Sequence, residues 1–223
     1  MTARQLVLLH GFLRTGASMA FLGARLKPLG YSAIHLPTFG YHLRTIEAHG
    51  AELRRRLSAL EGEYDVVTFS FGGVLLRAAL ADATEGPRRV VMLAPPSEGA
   101  LLAEQIRSHL PVHQLGWDPL APLLPGAPAR FPMPMAEVGI LAGGTGRDTG
   151  FNRWLPGDND GKVRVSEAMQ PGAAFKVIPQ RHFQMPFSDL ALQETRAFLE
   201  TGAFLDAPAH STKPSPPAQE PRE

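Results

Sequence analysis

Short apolar runs alternating with amphipathic helical patterns constrain this chain most. The runs are QLVLL (5–9), YSAIH (31–35), YDVVTF (64–69), RVVML (89–93), EVGILA (137–142) and AFKVI (174–178). Each is apolar almost throughout, the pattern of a strand buried on both faces of a parallel sheet. Between them, Met19-Leu22-Leu26 and Ile46-Leu53-Leu57-Leu60 keep helical spacing. Val74-Leu75-Ala78-Ala79 and Leu190-Leu192-Phe198-Leu199 follow it less strictly. Strands that alternate with helices join as right-handed βαβ units. The expected fold class is therefore α/β: a doubly wound, open parallel sheet of about six strands with helices on both faces. Ligands of such sheets bind at the carboxyl ends of the strands.

The chain has 223 residues, 44% of them apolar, enough for one sizeable domain, assigned to residues 1–206. Residues 207–223, APAHSTKPSPPAQEPRE, are rich in proline, serine and charge and read as a disordered tail, with His210 a solvated residue within it. Residues 110–134 carry many prolines among apolar residues. That mixture is too apolar for a linker and too proline-rich for a regular helix, so it reads as an excursion covering the site. Its Trp117, Leu120, Leu123, Leu124, Phe131 and Met133 either line an apolar pocket or bury the excursion against the core.

A formal net charge of +1 and the lack of a basic cluster interleaved with aromatics argue against a nucleic-acid partner. Arg54-Arg55-Arg56 falls on a helical pattern and reads as its solvated face. There is no cysteine, which excludes disulfides, thiolate metal sites and a cysteine nucleophile. Neither a signal peptide nor an apolar run of membrane-spanning length is recognisable, so the expected protein is soluble and cytoplasmic, without a transmembrane segment.

Chemistry enters with DVVTFSFGGVLLRAAL (65–80). A strand pattern ends at Phe69, Ser70 follows, and Phe71-Gly72-Gly73 opens a helical pattern. A serine at a strand-to-helix turn with glycine two residues later reads as a nucleophile elbow, Gly-x-Ser-x-Gly, although Thr68 stands where the first glycine belongs. The competing reading is a serine that caps a helix after a buried strand. After the first strand comes His10-Gly11-Phe12, a turn that can aim a backbone N–H into the site. Phe12 and Phe71 are the candidate donors of an oxyanion hole, both through main-chain groups. His10 precedes that turn and reads as a structural histidine.

Two further loops complete the constellation. In Gly157-Asp158-Asn159-Asp160-Gly161, Asp160 sits at the apex of a turn and is the better candidate to orient an imidazole, with Asp158 the alternative. The D-x-D-G string also echoes a calcium loop, and Glu167 stands six residues after Gly161. The flanking helices and the first loop ligand of such a site are missing, so no metal is expected. His182 lies between the last strand and the last helical pattern, where a general base can share the sheet edge with Ser70. The order Ser70, Asp160, His182 differs from that of chymotrypsin-like and subtilisin-like enzymes and matches the α/β-hydrolase arrangement.

With LVLLHGF, FSFGG, MLAPPSEG (92–99), GDNDGKV and RHFQM in place, the chain resembles the α/β-hydrolase superfamily in its small bacterial lipase/esterase-like branch, over about residues 5–203. The resemblance implies an all-parallel sheet that lacks the superfamily's first two strands, in the order 2-1-3-4-5-6, with a minimal cap. It implies a serine hydrolase acting on small, apolar carboxylic esters through Ser70, His182 and Asp160, with no metal and no organic cofactor. A non-catalytic lipid- or partner-binding protein, and an acyltransferase or thioesterase using the same residues, are the alternatives. Two positions depart from the family: Thr68 replaces its usual glycine and Phe69 its frequent histidine. Phe69 either lines the acyl side of the pocket or packs inside.

Overall fold

The computed structural model describes residues 4–41, 44–109 and 118–205. The tail read at 207–223 and Trp117 lie outside the described residues. The strands are β1 (Gln5–Leu9), β2 (Ala33–His35), β3 (Tyr64–Phe69), β4 (Arg89–Leu93), β5 (Glu137–Gly143) and β6 (Ala174–Ile178). They form one six-stranded sheet in the order β2-β1-β3-β4-β5-β6, and every neighbouring pair is parallel. From β1 the chain steps outward to β2 and then returns to the other side of β1 as β3. This reversal is the topological switch point, where loops leaving adjacent strands part and open a crevice.

The apolar runs are continuous because both faces of the sheet are covered. Side chains alternate along each strand. Val7 and Leu9 of β1, Val66 of β3, Val90 and Met92 of β4, and Val138 and Ile140 of β5 enter one core. That core is closed by Ile46, Leu53 and Leu57 of α2 (Ile46–Ser58) and by Val74, Leu75 and Leu76 of α3 (Phe71–Leu80). Leu6, Leu8, Val67, Phe69, Val91, Leu93 and Leu141 point the other way. They meet Leu22 and Leu26 of α1 (Ala20–Leu26) and Leu192, Phe198 and Leu199 of α6 (Asp189–Thr201). Gly139 leaves room for that second layer: a Cβ there would lie 2.7 Å from the Phe198 ring.

The expected strands and the four expected helices all form. Strand β2 is shorter than YSAIH, since Tyr31 precedes it and donates its hydroxyl to the buried Asp65 Oδ2 at 2.7 Å. Asp65, at the amino end of β3, also accepts from the guanidinium of Arg88 at 2.7 and 3.1 Å, so its buried charge is paired far from the crevice. Strand β6 is partly exposed because it is an edge. Two short helices were not expected: α4 (Leu101–His109) and α5 (Val165–Ala168). Helix α4 buries only Ala103 fully, so its sequence carries little of the apolar stripe that marks a core helix.

Candidate active site

The end of β3 turns sharply into α3, and Ser70 occupies the turn with φ 51° and ψ −120°. A positive φ at a non-glycine residue is strained, and such strain persists where the surroundings over-determine it. Here the Ser70 N–H donates to Leu93 O at 2.8 Å, and Ser70 O accepts from the Gly73 N–H at 3.0 Å. The start of α3 is pressed against the end of β1. A Cβ on Gly72 would lie 2.7 Å from Leu9 O and 2.9 Å from His10 O, both backbone, so only glycine fits. The Ser70 side chain makes no capping hydrogen bond to α3, which removes the helix-cap reading.

Thr68 fits the crowded turn because Gly73 gives way to it: a Cβ on Gly73 would lie 3.3 Å from Thr68 Oγ1. The cost is polar. Thr68 Oγ1 is buried and makes no hydrogen bond among the described residues. Phe69 both packs and lines: it is 2% exposed, borders the crevice, and its ring centroid stands 5.0 Å from that of His182.

His182 opens a 3-10 turn, His182–Phe187, after β6. Its Nε2 stands 3.0 Å from Ser70 Oγ, and its Nδ1 stands 2.6 Å from Asp160 Oδ2. The His182 N–H also donates to Asp160 O at 2.9 Å, so ring and backbone are fixed to the same residue. The other carboxylate oxygen, Asp160 Oδ1, accepts from the N–H groups of Lys162 (2.9 Å) and Val163 (2.8 Å). A carboxylate only accepts, so Nδ1 carries the proton and Nε2 offers its lone pair to the Ser70 hydroxyl. Ser70, His182 and Asp160 thus form one hydrogen-bonded chain, whose histidine and aspartate are 5% and 2% exposed.

Asp158 is used differently. Its Oδ1 accepts from the Thr145 N–H at 2.7 Å and its Oδ2 from the Gly146 N–H at 2.8 Å, clamping the loop that leaves β5. Asn159 between them is fully buried; its Oδ1 accepts from Asn152 N–H and Gly161 N–H, and its Nδ2 donates to Gly157 O at 2.9 Å. The two aspartates therefore diverge, and no group of carboxylates and histidines suited to a metal ion occurs among the described residues.

The turn after β1 is held by His10. Its Nε2 accepts from the Phe39 N–H at 3.0 Å, so its Nδ1 is the donor to Gly11 O at 2.8 Å. The ring is wholly buried and neutral, and burial pushes its pKa below 6.5. His10 is structural. Neither the Phe12 N–H nor the Phe71 N–H donates to a carbonyl among the described residues. Phe71 is the first residue of α3, where backbone N–H groups have no helical acceptor and attract negative charge.

A crevice of about 520 Å³ opens over Ser70 and His182. One wall holds Phe12, Leu13 and Phe69; the roof holds Leu102 and Ile106 of α4 with Leu120 and Leu123. Of the expected excursion, Leu120 and Leu123 reach the crevice, while Phe131 and Met133 pack on the α2/α3 core. Arg77 of α3 ties the segments that flank this roof, its Nε donating to Phe131 O at 2.9 Å and a terminal nitrogen to Ser97 O at 2.8 Å, and the Ala100 N–H donates to Leu123 O at 2.8 Å within the roof. Arg14, Lys162 and Phe183, which sequence reasoning passed over, also line the crevice. Single charges in polar loops carry no sequence signal of their own.

No family model matches the chain, and no curated protein is similar to it in sequence. Solved structures are similar. The lipase BlEst2 of Bacillus licheniformis in its mature form superposes with a TM-score of 0.70 at 20% identity, covering 90% of this chain and 92% of that one. The chain has the α/β-hydrolase fold. Two further hydrolase-fold structures resemble it. A metagenomic carboxyl esterase gives a TM-score of 0.59 at 20% identity, over 83% of this chain and 66% of that one. The pyrethroid hydrolase PytH gives 0.56 at 14% identity, over 90% and 98%. Among the described residues of this hydrolase fold, no helix is long and apolar enough to cross a membrane.

Proposed function

We propose that this protein is a serine hydrolase of carboxylic esters. The observation that carries the reading is the hydrogen-bonded chain from Ser70 Oγ through His182 to the buried Asp160, 3.0 and 2.6 Å long at its two links. It lies at the switch point of a fold whose solved relatives include a lipase and a carboxyl esterase. Ser70 Oγ attacks the ester carbonyl and its proton passes to His182 Nε2. Asp160 holds the Nδ1–H tautomer and stabilises the imidazolium. The oxyanion is received by the N–H groups of Phe12 and Phe71; losing one such donor costs about 3–4 kcal/mol of barrier. The tetrahedral intermediate collapses, Nε2–H protonates the departing alkoxide, and the alcohol leaves an acyl-Ser70 enzyme. Water, deprotonated by Nε2, attacks this ester and releases the acid.

The apolar lining from Phe12, Phe69, Leu102, Ile106, Leu120 and Leu123 supports an apolar arm on the substrate. No metal or organic cofactor is needed for these steps. The test is p-nitrophenyl ester turnover combined with fluorophosphonate labelling. Wild-type protein turns the ester over and is labelled at Ser70, and Ser70→Ala and His182→Ala abolish turnover. Equal activity in Ser70→Ala and wild type refutes the assignment. Absence of both labelling and turnover in folded wild-type protein favours a non-catalytic binding role.

A further inference from the structure

Two cations enter the crevice beside the reacting groups, and neither has a carboxylate partner among the described residues. Arg14 follows the oxyanion turn and Lys162 follows Asp160, so each is bound in sequence to one side of the site. Both reach Phe183, the residue after the histidine: the Lys162 ammonium lies 4.3 Å from the ring centroid and the Arg14 guanidinium 5.5 Å. The guanidinium also stands 5.6 Å from the Phe69 ring. All four residues line the crevice with Ser70 and His182.

That arrangement is costly without a ligand. Both cations are half-buried. The acid beside them, Asp160, is already committed to His182. Burial, and then the neighbouring Arg14 charge, push the Lys162 ammonium down from its ordinary value. Two like charges beside one aromatic ring repel, and the ring's attraction only partly offsets this. Among the described residues, no carboxylate lines the crevice. Several other half-buried cations are paired with a carboxylate, among them Arg88 with Asp65, Lys176 with Glu194 and Arg164 with Glu167, while the more deeply buried Arg77 is held by carbonyl oxygens. An anion seated between Arg14 and Lys162 would turn the repulsion into two charge-assisted hydrogen bonds at the rim of an otherwise apolar slot.

We propose that the site prefers esters bearing an anionic group, a carboxylate or a phosphate, at the end of one arm, with Arg14 and Lys162 as the groups that receive it. This rests on the serine-hydrolase reading above. The other arm occupies the apolar lining under Leu120 and Leu123.

The experiment compares matched ester pairs on the full chain. The acyl-side pair is mono-4-nitrophenyl glutarate against 4-nitrophenyl pentanoate. The alcohol-side pair is the butyrate ester of 4-hydroxybenzoate against that of its methyl ester. In one of the two pairs, the anionic member is expected to have a kcat/KM roughly tenfold or more above the neutral one, the effect of one charge-assisted hydrogen bond. Which pair responds identifies the arm. The ratio should fall towards one in Arg14→Gln/Lys162→Met, be partly restored in Arg14→Lys, and shrink as salt is raised. A ratio near or below one for both pairs in wild type, with neutral esters turned over, overturns this inference and leaves the hydrolase reading standing. A ratio unchanged in the double variant, both rates falling together, also overturns it. If no ester is turned over and Ser70 resists the fluorophosphonate, the hydrolase reading fails and the preference with it.

Discussion

Replacing Asp160 by asparagine tests the proposed chemistry at its most constrained point. The two carboxylate oxygens have different tasks. Oδ1 accepts from the N–H groups of Lys162 and Val163, and Oδ2 faces His182 Nδ1 at 2.6 Å. An asparagine must place its carbonyl oxygen where Oδ1 was. Reversing the amide would set its NH2 against two backbone donors. That forfeits two hydrogen bonds at about 1 kcal/mol each and leaves buried donors unpaired, so the reversed orientation holds at most roughly 3% of the population. The NH2 therefore points at Nδ1. The imidazole must then accept at Nδ1 and carry its proton on Nε2, facing a Ser70 hydroxyl it can no longer deprotonate. A serine-histidine pair in that tautomer loses about 10⁴-fold in kcat. The assay is kcat on a p-nitrophenyl ester, with the urea midpoint measured alongside to confirm folding. Asp158→Asn is the contrast: it loosens the clamp on the Thr145-Gly146 turn and should lower thermal stability while costing less than tenfold in kcat. A folded Asp160→Asn variant within tenfold of wild type refutes the reasoning.

Three other outcomes follow from the elbow and its neighbours. Thr68→Val keeps the side-chain shape and removes a buried hydroxyl without a partner among the described residues, so it should stabilise by about 1–2 kcal/mol and raise Tm by about 2–8 °C by calorimetry. Gly72→Ala drives a Cβ to 2.7 Å from Leu9 O and should destabilise by about 1–3 kcal/mol in urea titration, while slowing fluorophosphonate labelling because Phe71 N–H moves with α3. Burial lowers the His10 pKa below its ordinary 6.5, so the unfolded chain takes up that proton first as pH falls. Its contribution to stability is constant above pH 6.5 and is lost as pH drops towards the folded value. Tm measured from pH 7 to pH 5 should therefore fall less steeply in His10→Gln than in wild type.

What the sequence revealed depended on how each residue works. The four inner strands were the most legible because both faces are buried, so QLVLL or RVVML is apolar after its first residue. Ser70 was legible because Gly72 must be glycine for α3 to meet β1. Asp160 was preferred to Asp158 only for its place at the turn apex, since both sit in one turn and what divides them, His182 for one and the Thr145-Gly146 N–H groups for the other, arises in the fold. Helix α4 was hidden because it covers the crevice rather than filling a core, and its LLAEQIRSH has only one fully buried side chain. Arg14 and Lys162 were hidden for a different reason. A lone cation in a polar loop reads as solvated until the fold brings a second one to the same ring.

The Arg77 clamp ties the two segments on either side of the crevice roof to helix α3. Helix α3 begins at the elbow and carries Arg77 two turns on, so Ser70 and the segments that flank the roof hang from one rod. Burial already pushes the Arg77 guanidinium below its ordinary value. Lifting the roof would cost its bonds to Phe131 O and Ser97 O and strand that charge. On the proposed chemistry, substrates would then be sorted by thickness at Ser70 and by what lies lengthwise beyond it. The exposed side chains of Leu13 and Phe183 at the crevice are the parts of the slot that can be re-cut without disturbing its frame.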